Sequence, residues 1–240
     1  MRPLLVVPVL FVAACSGGSS TPVGDPTPVV TTEAPTAEPT TAAPTADATT
    51  AAPTPTPTST KVAPAAPGDI DGDGKADVVK ATASLVSVTL SRSGKVVTAP
   101  VHADSPAAPE VLGTDDVDHD GRSELFLKTV QGASTSFATP YRYDGKVLHE
   151  LQLNGSPAVL GFGGSTQHGD GFTCTPAGRI EVHQAQADAS GTTYTVTTTS
   201  YRMTVTDLVK VTSTSTKAAQ GSAAVEASYA LDCGSVGEGG

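Results

Sequence analysis

The chain has 240 residues, with 14 basic against 24 acidic side chains and a formal net charge of −10. Residues 68–240 alone carry 12 basic and 20 acidic side chains, a net of −8, which argues against nucleic acid as a partner because no basic field neutralises phosphates. Trp is absent and aromatic residues make up 4% of the chain, so stacking platforms for sugars or bases are scarce.

The first 14 residues read MRPLLVVPVLFVAA: one basic residue, Arg2, then a run of apolar positions. That run is shorter than the ~20 residues a membrane-spanning helix needs and fits the apolar region of an export signal. Val12-Ala13-Ala14-Cys15 resembles a bacterial lipobox. The resemblance implies a signal peptide over 1–14, acylation of Cys15, membrane attachment through that lipid, and a place on the outer face of the cell membrane. Residues 15–67 are expected to form a disordered tether. Positions 16–67 hold 11 of the 19 prolines, 14 threonines and 11 alanines and no aromatic residue, so they cannot build a core. In polyproline II geometry such a segment reaches on the order of 160 Å.

Three cysteines leave an odd one in an exported protein. If Cys15 carries lipid, Cys174 and Cys233 remain, either as a disulfide or as two free thiols. A bridge between them would close a loop of about 60 residues and stabilise the fold by roughly 4 kcal/mol on the chain-entropy model.

Two segments align without a gap, DIDGDGKAD at 69–77 and DVDHDGRSE at 116–124, with a period of 47 residues. Such a period is the signature of a repeated supersecondary unit. Acidic residues at positions 1, 3 and 5 converge only if the chain curls tightly, and glycine at position 6 (Gly74, Gly121) permits the curl. Crowded carboxylates repel by about 1 kcal/mol per pair at 4 Å in water, and more where the dielectric is lower, so a cation is expected to hold each loop shut. The donors are hard oxygens, and a flexible shell of six to eight oxygens favours Ca²⁺ over Mg²⁺. An EF-hand or dockerin loop needs an acid at position 12, but Lys80 and Leu127 stand there and a strand pattern follows. The segments instead resemble FG-GAP or VCBS repeats, in which a DxDxDGxxD loop leads straight into a β-strand. That resemblance implies two Ca²⁺ sites. One is held by Asp69, Asp71, Asp73, the Lys75 carbonyl and Asp77, the other by Asp116, Asp118, Asp120, the Arg122 carbonyl and Glu124. The second copy departs from the pattern at His119 and Glu124.

After each loop a strand is expected, DVVKA at 77–81 and ELFLKTV at 124–130. Alternation predicts further strands at 85–91, 95–101, 146–153, 179–186 and 192–205, separated by turns at Arg92-Ser93-Gly94-Lys95, Tyr143-Asp144-Gly145-Lys146 and Ala189-Ser190-Gly191. No stretch has the length and period of an amphipathic helix. The fold class expected is all-β with antiparallel strands, as a partial propeller-like meander or a β-sandwich. The domain is placed at 68–235, with 236–240 a flexible tail. HGDG at 168–171 reads as the remnant of a third unit, and His168 with Asp170 as a candidate cleft.

No G-x-S-x-G elbow occurs, Ser165 standing in GGSTQ and Ser235 in CGSVG, and His149-Glu150 lacks the second histidine of a zincin. The expectation is a non-catalytic, Ca²⁺-stabilised surface lipoprotein binding an envelope or extracellular partner. The alternative is an exported hydrolase of polysaccharide or peptide that uses residues outside the two loops.

Overall fold

The computed structural model describes residues 64–237. The expected signal peptide, the lipidated Cys15, the tether up to residue 63 and positions 238–240 lie outside the described residues.

The first acidic loop opens onto a three-stranded antiparallel meander of β1 (Val78–Ala81), β2 (Leu85–Thr89) and β3 (Val96–Pro100). Alternate residues face inward: Val86 and Val88 of β2 and Val97 and Ala99 of β3 are buried, while Leu85 and Val96 lie outside. The second loop lies between β4 (Glu110–Asp115) and β5 (Glu124–Gln131), followed by β6 (Thr135–Tyr143) and β7 (Leu148–Glu150), each antiparallel to its predecessor.

β5 is the hinge of the packing because both its faces are covered. Leu125 and Leu127 join a cluster with Ile70, Val86, Val88, Tyr141 and Tyr143. Phe126, between them, turns the other way and stacks on Phe172 with ring centroids 6.0 Å apart, in a cluster with Leu160, Phe162 and Ile180. The first meander therefore packs on one face of the second, and the C-terminal strands pack on the other. A strand buried on both faces reads as a continuous apolar run, as Leu125-Phe126-Leu127 does.

A hairpin of β8 (Gln152–Leu153) and β9 (Ser156–Pro157) turns at Asn154-Gly155, both at positive φ. Thereafter β10 (Leu160–Gly164) pairs with the first half of β6, and β11 (His168–Thr175), β12 (Arg179–Ala187), β13 (Thr193–Met203) and β14 (Leu208–Ala219) continue the antiparallel ladder. A five-residue helix, α1 (Ala223–Ala227), places Val225 in a small cluster with Ala185, Tyr194 and Val196. Finally β15 (Leu231–Asp232) pairs with β11 in parallel. The sheet does not close on itself, ending at β4 and β14. The described residues are thus an all-β body, antiparallel apart from the β11–β15 pairing and a single parallel bridge between Gln152 and Asp207.

Cys174 and Cys233 form a disulfide that ties β11 to the C-terminal segment.

Three expectations are corrected. HGDG at 168–171 is not a loop remnant but the start of β11. Its glycines are needed for close packing: a Cβ on Gly169 would stand 2.7 Å from the Ser228 carbonyl and from the Tyr229 ring. The folded body extends beyond 235, because Val236 is buried in the main cluster and the Gly237 N–H donates to the Leu112 carbonyl. It also begins before 68, since the Ala65 N–H donates to Asp116 Oδ2 at 3.0 Å and the Ala66 carbonyl accepts from Ser123 Oγ at 3.2 Å.

Candidate metal centre

The two loops fold by the same local rules. Position 2 is an apolar anchor in each: Ile70 and Val117 are buried, on opposite sides of β5. Position 1 is a buried aspartate that accepts loop N–H groups. Asp69 takes Gly72 N–H and Asp73 N–H on Oδ1 and Gly74 N–H on Oδ2, at 2.7–2.9 Å. Asp116 Oδ2 takes Gly121 N–H at 3.2 Å. Position 5 accepts the N–H of position 7, Lys75 onto Asp73 and Arg122 onto Asp120, both at 2.9 Å. The carboxylate at position 9 accepts the N–H of position 2: Ile70 donates to Asp77 at 2.9 Å, Val117 to Glu124 at 3.0 Å. Positions 4 and 6 sit in the left-handed region in both copies, Gly72 (φ 76°) and Gly74 (φ 86°) against His119 (φ 60°) and Gly121 (φ 85°). Glycine takes that conformation without penalty, whereas His119 is strained there.

In the first loop, carboxylate oxygens of Asp69, Asp71 and Asp77 lie within 4.8 Å of one another; in the second, those of Asp116, Asp118 and Asp120 do. Two expected carboxylates, Asp73 and Glu124, fall outside these triads. Asp73 accepts the Ser91 hydroxyl at 2.9 Å, and Glu124, 1% exposed, points inward to the Val117 N–H. Each triad contains a buried carboxylate oxygen without a hydrogen-bond partner, Asp71 Oδ1 and Asp116 Oδ1. An oxygen of that kind is costly unless something neutralises it.

The titration behaviour agrees with crowding. Burial, then the charges of Asp77 and Asp73, raise Asp71 above the usual carboxylate range, with Arg92 opposing. Burial, reinforced by Asp118, pushes Glu124 well above that range against the pull of Arg142 and the Val117 N–H.

Arg142 is a residue the loop spacing does not reveal. Its Nη2 lies 2.8 Å from Asp120 Oδ2, and its Nη1 contacts Asp118 Oδ2. Burial depresses its pKa, but the charges of Asp118, Glu124 and Asp120 outweigh that and raise it overall. The signal lies in the turns. Aligning Ser93-Gly94-Lys95 with Asp144-Gly145-Lys146 puts Arg142 opposite Ser91, the residue that meets Asp73 in the first loop.

A groove of about 490 Å³ runs between the loops, lined by Asp69, Asp71, Arg92, Asp120 and Arg122 among others. His168 and Asp170 do pair, Nε2 to Oδ2 at 2.8 Å, but Asp170 is closed off by Gln184, whose Nε2 donates to Oδ1 at 3.2 Å. The nearby cavity beside Ser165, Tyr194 and Tyr229 is lined by neither His168 nor Asp170.

Comparison with known proteins finds no match to this chain among protein-family models, curated proteins or solved structures.

Proposed function

We propose that this chain is a Ca²⁺-stabilised β-domain displayed outside the cell on a lipid anchor at Cys15, with a binding rather than a catalytic role. The observation that carries the metal reading is the partnerless buried oxygen in each acidic triad, Asp71 Oδ1 and Asp116 Oδ1. Asp69, Asp71 and Asp77 would hold one ion and Asp116, Asp118 and Asp120 a second, all through hard oxygens of the kind Ca²⁺ selects. When bound, the ion supplies positive charge that reverses the repulsion among these carboxylates. The chain's own groups prepare the site. N–H donors at positions 4 to 6 fix the first aspartate of the first loop and the one at position 6 that of the second, and in both the position 9 carboxylate closes the curl onto position 2. The resemblance to FG-GAP and VCBS repeats points the same way, and each loop lies directly before a strand, β1 or β5. The disulfide accords with an oxidising, extracytoplasmic setting.

The test is calorimetric titration of the chelator-stripped full chain with CaCl₂. Binding heat is expected, lost from the first loop in Asp71→Asn and from the second in Asp116→Asn. No heat in the unaltered chain overturns the reading.

A further inference from the structure

We propose that Arg142 is a built-in cation of the second loop, so that two loops alike in sequence differ in their dependence on divalent metal. The inference rests on the calcium reading above and concerns how that site is regulated.

Three observations carry it. First, the guanidinium takes the place of a bridging cation: one nitrogen meets Asp118, the other Asp120, and the Arg142 side chain is only 12% exposed. A fork of donors on two carboxylates in a partly dry setting is the stronger kind of ion pair. Second, β6 fixes the residue. Tyr141 and Tyr143 on either side of it are buried in the cluster shared with the first meander, so strand alternation sends Arg142 to the opposite face. Third, the first loop has no ion-paired counterpart, although Arg92 lines the groove beside it and its charge acts on Asp71. The equivalent residue, Ser91, offers Asp73 a neutral hydroxyl, and among the described residues no lysine or arginine forms an ion pair with Asp69, Asp71, Asp73 or Asp77. The second loop, by contrast, also has Arg122 Nη1 3.8 Å from Asp120.

An ion entering the second loop must therefore compete with Arg142 for Asp118 and Asp120, whereas in the first loop it displaces no ion-paired side chain. Arginine keeps its charge at all accessible pH values, so the competition does not relax on titration. Asp116 Oδ1 is outside the guanidinium's reach and remains the second loop's partnerless ligand.

The test is CaCl₂ titration by calorimetry of the chelator-stripped full chain, comparing the unaltered protein, Arg142→Gln and Ser91→Arg, with folding checked by circular dichroism. The unaltered chain is expected to show a stronger site, abolished by Asp71→Asn, and a second site weaker by about tenfold or more. Arg142→Gln is expected to tighten the second site by a similar factor and leave the first unchanged. Should Arg142→Gln fail to fold, Ser91→Arg carries the test from the other side, with an expected loss of about tenfold at the first site. Two equal sites in the unaltered chain, unmoved by either substitution, overturn the inference and leave the calcium reading intact. Absence of heat in the unaltered chain and both variants overturns the two together.

Discussion

The backbone N–H of Ser123 donates to the carbonyl of Asp69 at 2.8 Å, joining the eighth position of the second acidic loop to the first position of the first. The loops are thus one block, fastened again where the Gly68 N–H donates to Thr114 Oγ1 at 2.7 Å. Gly72 lies at the seam, with φ 76° and space for no side chain: an added Cβ would stand 2.9 Å from the Gly121 carbonyl oxygen. Gly72→Ala is expected to cost about 1–3 kcal/mol, from backbone strain and from separation of the loops. Gly94→Ala is the control, since φ there is 67° but the surroundings are open; it should cost less. Urea unfolding reads both, and equal midpoint shifts for the two would show that the seam is not tight.

The Cys174–Cys233 bridge holds down a C-terminal segment that contributes Val236 to the main cluster and β15 to the edge of β11. Replacing both cysteines by alanine is expected to cost about 2–5 kcal/mol. Unfolding curves with and without thiol reductant give the check: the unaltered chain should lose stability on reduction, and the double variant should not respond.

His183 lies between Thr173 Oγ1, 3.1 Å from Nε2, and Thr198 Oγ1, 3.2 Å from Nδ1. Burial lowers its pKa below the usual imidazole value of about 6.5, with Glu181 opposing. The unfolded chain therefore takes up this proton more readily than the folded one. The stability from neutral His183 is complete above pH ~6.5 and falls away as the pH drops through the lowered folded value. His183→Gln should flatten the loss of thermal stability between pH 7 and pH 5 relative to the unaltered chain. Parallel slopes would contradict this.

Much of the fold was legible because two patterns are strong. The aligned loops announce a repeat, and alternation marks β2, β3, β12 and β13 to within about two residues. Two of the strands that stayed hidden had a clear physical reason. β11 begins His168-Gly169-Asp170-Gly171, where glycine serves interstrand packing against residues 227–230 rather than a turn. β14 carries Thr and Ser on both faces as an exposed edge strand, so burial imposes no alternation. Within the site, the spacing grouped four acids in each loop; of these, Asp69, Asp71 and Asp77 lie together and so do Asp116, Asp118 and Asp120, while Asp73 and Glu124 fall outside the two triads. The loop spacing did not foretell Arg142, which reaches its loop through the register of β6; only the alignment of the two later turns, which sets it opposite Ser91, points to it.

The most direct test of the central claim is the thermal midpoint of the full chain in excess chelator against the midpoint in Ca²⁺ at about a hundred times its dissociation constant. Binding to the folded state alone contributes about 2.7 kcal/mol per site under that condition. For a domain of this size that is a rise of about 5–10 °C. A midpoint that does not move between chelator and Ca²⁺ would contradict the account.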